Sequence, residues 1–210
     1  MHIYWHGQNC FKLVSGEVTL MTDPFGKELG IKPPRTSASI VTLSNNDTYS
    51  AEEIKDNPLI FNTPGEYEAK GVLMRGLWSY RDKEQGKKRG LNYAFTIEME
   101  DIRICHLGDI GHLLDEKLES KIDGVDILLI PIGGRDTIDA KTAAKIVQQI
   151  EPGFVIPMHY KLPGLKTPLD DFKPFLKEMG APTVKPVPKL RTLKKLIPME
   201  KTEVVVLSPV

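Results

Sequence analysis

The sequence predicts an α/β protein built of packed layers. Two observations carry this. Short β-rich runs crowd the first half, and further β runs then alternate with amphipathic helical segments. One of the later runs, Val125 to Ile130, is almost wholly apolar and stops at Pro131, as in a strand covered on both faces.

The elements follow in order. Cys10–Val14 and Val18–Thr22 flank Ser15-Gly16-Glu17, a hairpin signal. Ile40 to Leu43 is apolar and partly β-branched, suited to a buried strand. Ile60-Phe61 and Tyr67 to Met74 read as strands. Tyr93–Met99 and Ile102–Cys105 flank Glu100-Asp101, a tight turn. Phe154-Val155-Ile156 repeats the buried-strand character, and Val204–Leu207 is a last strand. Helices are expected over Leu113–Ser120, over Ala140–Ile150 with Asp139 as N-cap, and over Pro168–Met179 with Gly180 just past its end. Ser50-x-x-Glu53 fits a capping box, and so predicts a helix start there. Arg81–Gly90 and Thr183–Thr192 read as exposed loops.

Length and composition exclude several classes. The 210 residues suit one domain, 1–210, large enough to bury a core unaided. With 40% hydrophobic and 27% charged residues the chain is neither disordered nor a coiled coil. Lys+Arg 28 against Asp+Glu 28 leaves no net charge, which argues against nucleic acid as a partner. No apolar run is long enough for a membrane span, so no membrane partner is expected. Met1 to Trp5 lacks the basic and apolar regions of a signal peptide. Two cysteines, Cys10 and Cys105, each beside apolar residues, make no disulfide framework. Together these point to the cytoplasm.

Polar clusters at predicted strand ends are the candidate chemistry. Cys105-His106-Leu107-Gly108-Asp109-Ile110-Gly111-His112 sets two imidazoles and a carboxylate around a glycine-rich turn. Such groups serve as metal ligands or acid–base catalysts. Ile156-Pro157-Met158-His159-Tyr160 is a second strand ending in histidine. Thr22-Asp23-Pro24 and Ser44 to Ser50 are, by themselves, polar turns. No nucleophile elbow, Walker loop or GxGxxG is present.

Taken together, these motifs resemble the metallo-β-lactamase superfamily, in particular its small bacterial Zn-dependent hydrolase branch, similar to ascorbate-6-phosphate lactonase. Trp5 to Phe11, Thr22-Asp23-Pro24, Thr63 to Tyr67, Gly71-Val72, Arg89 to Asn92, His106 to Asp109, Leu129 to Gly134 and Ile156 to Tyr160 carry the resemblance across nearly the whole chain. It implies a four-layer αββα sandwich with a metal site at one edge between the sheets.

The resemblance also locates departures. The family's His-x-His-x-Asp-His aligns with Asn45-Asn46-Asp47-Thr48-Tyr49-Ser50. Arg81 stands where a further ligand histidine belongs, and Gly7-Gln8-Asn9-Cys10-Phe11 replaces Gly-His-Ser-Cys-Phe. Of the ligand positions, Asp109 and His159 remain. Asparagine is a weak zinc ligand, tyrosine and serine bind poorly unless deprotonated, and arginine keeps its charge. Arg81 is therefore expected to pair with Asp47 or Asp109 in place of a metal.

The resulting expectation is a hydrolase-like protein with an impaired two-metal site that acts in binding or regulation. Its cleft is formed by Asn45, Tyr49, Arg81, His106 and Lys161, and it takes a small anionic ligand. One alternative is an active hydrolase of an ester, lactone or phosphoester. It would use one divalent metal (Zn, Mn or Fe) on Asp47, Asp109 and His159, with Asp47 and Asp109 as the catalytic groups. The other is a structural subunit of a homo-oligomer.

Overall fold

A computed structural model describes all residues, 1–210. In chain order its strands are β1 His2–Gly7, β2 Cys10–Ser15, β3 Val18–Thr22, β4 Ile40–Thr42, β5 Leu59–Phe61, β6 Gly65–Ala69, β7 Val72–Tyr80, β8 Leu91–Met99, β9 Ile102–His106, β10 Ile127–Pro131, β11 Phe154–Met158, β12 Leu190–Arg191 and β13 Glu203–Val204. The helices are α1 Glu116–Ile122, α2 Ala140–Ile150 and α3 Lys173–Glu178.

The strands form two sheets, a six-stranded one ordered β12-β1-β2-β3-β4-β5 and a seven-stranded one ordered β13-β11-β10-β9-β8-β7-β6. Both are mixed. β3, β4 and β5 pair in parallel, as do β9, β10, β11 and β13, and the remaining pairs are antiparallel. Alternation along the strands aims Ile3, Trp5, Phe11, Leu13, Leu20 and Ile40 at Phe95, Ile97 and Ile104 of the other sheet. All are fully buried in one cluster of 41 residues. Both cysteines are buried and free.

Helices cover the seven-stranded sheet. α2 packs on β10, α1 on β7, and α3 against α2. The outer layer on the other sheet is mostly irregular. Phe25, Ala38, Ile54 and Tyr49 from the long β3–β4 and β4–β5 connections close over Met21 and Val41. The αββα sandwich therefore stands, with one helical layer reduced to loops and the 3₁₀ turn Lys27–Leu29.

Local expectations hold where their physical signals are strong. α2 has the expected limits, and Asp139 caps it by accepting the Thr142 N–H. Glu100 and Asp101 both take positive φ, as a two-residue hairpin turn requires. Others are corrected. The predicted Leu113 helix starts at Glu116, capped by Asp115, and the Pro168 helix starts at Lys173. The last strand is cut to Glu203–Val204, and β1 and β12 add to the strands expected from the pattern. Ser50 starts no helix. Its hydroxyl accepts the Glu52 N–H in a turn, so the capping-box pattern is satisfied locally. No helix is long and apolar enough to cross a membrane.

Candidate functional site

Strands from both sheets end on one edge of the sandwich. Asn9 follows β1, Asp23 follows β3, Asn45 follows β4, Arg81 follows β7, Asp109 follows β9 and His159 follows β11. The backbone is left-handed at two of these positions. Asp23 and His159 take φ of 41° and 50°, a left-handed conformation that non-glycine residues adopt at a cost.

Asp109 is the centre. Its Oδ1 accepts the Asn9 Nδ2–H at 2.7 Å and the Tyr49 hydroxyl at 3.0 Å, and its Oδ2 accepts the Asn45 Nδ2–H at 3.0 Å. Its own N–H donates to Asn92 Oδ1 at 2.7 Å. Asn92 Nδ2 holds Ser79 Oγ and the Leu107 carbonyl, so this one buried amide fixes the turn after β9. Gly108 is required beside it. At φ +60°, an added Cβ would lie 2.5 Å from both Asn92 Oδ1 and Ser44 Cβ.

His159 Nδ1 lies 3.2 Å from Asn9 Oδ1 and 3.3 Å from Asp109 Oδ1. Both are acceptors, so we assign the proton to Nδ1. Nε2 is then a bare lone pair, buried and without a partner. Burial lowers the His159 pKa against the opposing pull of Asp109. Burial, then the charges of Asp109 and Asp23, push the Tyr49 phenol well up, so it stays a donor.

Arg81 lies between two carboxylates. Its Nη1 is 3.5 Å from Asp47 Oδ2 and its Nε 3.7 Å from Asp109 Oδ2. The expected ion pair is therefore made to both residues. One positive charge serves two negative ones. Asp47 is the outer partner, with its side chain 79% exposed, against 2% for Asp109. No three His, Cys, Asp or Glu side chains are grouped to hold one metal ion. Asp47, Asp109 and His159 thus do not converge, because the guanidinium separates the first from the other two.

One predicted residue, His106, sits elsewhere. His106 is fully buried and lines no cleft. Its Nε2 lies 2.9 Å from the Asn9 carbonyl and 3.9 Å from Asp23 Oδ2, and burial lowers its pKa to about 4. Lys161 is exposed, two residues beyond His159. His112 turns away, accepting the Tyr80 N–H on Nε2.

Sequence reasoning did not assign Asn9, Asp23, Ser44 and Asn92 to the site. Asp23 is fully buried, with Oδ1 and Oδ2 each 2.6 Å from a Ser44 donor, and burial pushes its pKa well up. Besides its place in the family resemblance, the signal for it is an Asp-Pro after a strand, a pattern that also marks ordinary turns.

The fold and this strand-end constellation define a class. The profile of the Beta-lactamase superfamily domain matches residues 2–159, and the chain belongs to that family. A metal-dependent hydrolase of Carboxydothermus hydrogenoformans is 38% identical over 153 residues, covering 70% of this chain and 68% of its own. A metal-dependent hydrolase of Methanopyrus kandleri is 27% identical over 214 residues, covering 86% and 93%. The relatives are thus archaeal as well as bacterial. Among solved structures, a Thermotoga maritima metallo-β-lactamase superfamily protein, provisionally named a Zn-dependent hydrolase, is 33% identical. It superposes with a TM-score of 0.81 over 98% of this chain and 97% of that one. An isothiocyanate hydrolase from Delia radicum gut bacteria shares the fold at 11% identity and a TM-score of 0.72, over 92% of this chain and 100% of that one.

Proposed function

We propose that this chain is a metallo-β-lactamase-fold, hydrolase-like protein whose two-metal centre is largely lost, and that it works by binding a small ligand at the cleft. The observation that carries this reading is the Arg81 guanidinium lying 3.5 Å from Asp47 and 3.7 Å from Asp109. A cation fixed there repels a divalent ion and takes up the carboxylates that would bind it. The donor chemistry agrees. Asn9, Asn45 and the protonated Tyr49 present hydrogen-bond donors to Asp109, where a metal centre needs lone pairs. The Asp109 charge is compensated by the protein itself.

The second reading is an active hydrolase with one rebuilt metal site. What favours it is the buried, unpartnered Nε2 of His159 beside Asp109. A divalent ion there would act as a Lewis acid toward an ester, lactone or phosphoester. Asp47 would join the site only if Arg81 swung away.

Elemental mass spectrometry on protein purified without chelator or metal-affinity tag, then offered Zn, Mn, Fe and Mg, separates the two. The binding reading expects well under one equivalent of each. About one equivalent, lost in Asp109→Ala and His159→Ala, establishes the metal-site reading instead. A further variant, Arg81→His, is expected to raise metal uptake by removing the resident cation.

A further inference from the structure

The cleft has an outer half that the Asp109 cluster does not use. β7 and β8 pair with Trp78 opposite Tyr93 and Tyr80 opposite Leu91, so these four side chains share one face of the sheet. That face is core at Val72 and Met74 but opens toward water at the site end. Trp78 is 58% exposed and Leu91 41%. The Trp78 and Tyr93 rings meet edge to face, 5.4 Å apart at 81°. Beside them a cavity of about 260 Å³ is lined by Asn45, Asn46, Asp47, Leu91 and Tyr93. It is small, and Asp47 is its one charged residue. The opposite wall is held in place because the Tyr93 N–H donates to the Ser44 carbonyl at 2.8 Å, docking the Asn45–Asp47 loop on β8.

Charge decides the kind of ligand. At this end two carboxylates, Asp47 and Asp109, face the single guanidinium of Arg81. One negative charge is in excess. A bound cation cancels it, whereas a bound anion doubles it and must also displace Asp47 or Asp109 from Arg81. Exposed tryptophan and tyrosine faces attract cations through their ring quadrupoles. An apolar body would cover ring and leucine surface now open to water.

We infer that the Trp78–Tyr93–Leu91 wall and Asp47 form a site for a small organic cation, an ammonium group carried on a compact apolar or aromatic body. The ammonium lies between the Asp47 carboxylate and the aromatic rings, and the apolar body rests on Leu91. This names the ligand of the binding reading above and rests on it. It takes the place of the anion expected from Arg81 and Lys161, because two carboxylates face the one guanidinium.

The chain supplies its own reporter. It has two tryptophans, and Trp5 is fully buried, so acrylamide quenching of tryptophan fluorescence reads Trp78. The full-length protein is titrated with benzylamine, benzyl alcohol, benzoate and inorganic phosphate. Benzylamine is expected to shield Trp78 and raise Tm, binding about tenfold more tightly than benzyl alcohol, with benzoate and phosphate weaker still. Asp47→Asn should bring benzylamine down to the benzyl alcohol level, and Trp78→Leu should weaken both, with Tm of the free protein nearly unchanged. The inference is overturned if benzoate or phosphate binds as well as benzylamine, or if Asp47→Asn leaves the preference intact. It is equally overturned if Trp78 is already shielded in a concentration-dependent way, since a second copy of the chain then covers the wall. One equivalent of metal sinks the binding reading itself. A metal-free protein that ignores benzylamine sinks only this inference.

Discussion

His106 shows what a buried histidine contributes when it binds nothing from outside. It is fully buried, its Nε2–H faces the Asn9 carbonyl, and burial holds its pKa at about 4 against 6.5 for the free side chain. Between those two values the unfolded chain binds the proton and the folded one does not. Stability therefore falls as pH drops from about 6.5 to about 4, by up to about 3 kcal/mol from this residue. Asp23, pushed well up by burial, works in the opposite direction above the ordinary carboxylate pKa, because its folded form keeps the proton longer. Urea melts of the wild type and His106→Asn across pH 4–7 isolate the histidine. The variant should lose the acid-side decline that the wild type shows relative to it; parallel curves would refute this. Asn9 is a second test. Its amide bridges Asp109 and His159, so Asn9→Ala takes one buried partner from each. A loss of about 2–3 kcal/mol is expected in the same melts. At this scale the sequence was legible where residue type is itself unusual. Asp109 and His159 stand out at strand ends, whereas Asn9 and Asp23 look like any polar turn residues until the two sheets bring them together.

The segment after β7 shows how an element can be ordered without secondary structure. Arg81 to Gly90 is charged and glycine-containing, which reads as a loose loop. Asp82 organises it. Its carboxylate accepts the N–H groups of Glu84, Gly86, Lys88 and Arg89 at 2.7–3.0 Å, and those bonds lower its pKa. Asp82→Ala removes all four acceptors at once. Amide protection of residues 84–89 should collapse in hydrogen exchange, and the Lys87-Lys88-Arg89 stretch should become the first tryptic cut, with β7 and β8 still protected. Retained protection would show that the loop is held by something else. The same segment explains Gly111, where an added Cβ would fall on the Arg81 carbonyl. Gly111→Ala must push the Arg81 backbone aside, with an expected cost of about 3 kcal/mol. Periodicity revealed α2 and the apolar strands because their burial follows one repeat. It did not reveal β1, a six-residue strand whose half-buried positions are His2, Tyr4 and His6 and whose buried ones include Gly7, nor the grip of one aspartate on a loop.

The whole molecule carries its stability in the sandwich and its charge balance in the site. The 41-residue cluster joins both sheets. The link between sheets at the site edge is the fan of bonds on Asp109, from Asn9 and Asn45 on the first sheet's loops, with Arg81 from the second. The fold class was legible in the sequence because strand-end motifs keep their order along the chain. The irregular outer layer was not, since loop packing over Met21 and Val41 has no periodic signal. On the binding reading the protein should be indifferent to chelation. Incubation with EDTA or 1,10-phenanthroline is expected to leave Tm within about 1 °C, because an ion that binds only the folded state is the sole route by which a chelator lowers it. Arg81→Ala should do what chelation does not. It leaves the Asp109 charge with neutral donors alone, and an expected loss of about 2 kcal/mol lowers Tm by about 4–8 °C for a chain of this size. The reverse pattern, a chelator that costs many degrees and an Arg81→Ala that costs none, would mean that a metal and not the guanidinium balances Asp109. The hydrolase reading would then take the place of the binding one.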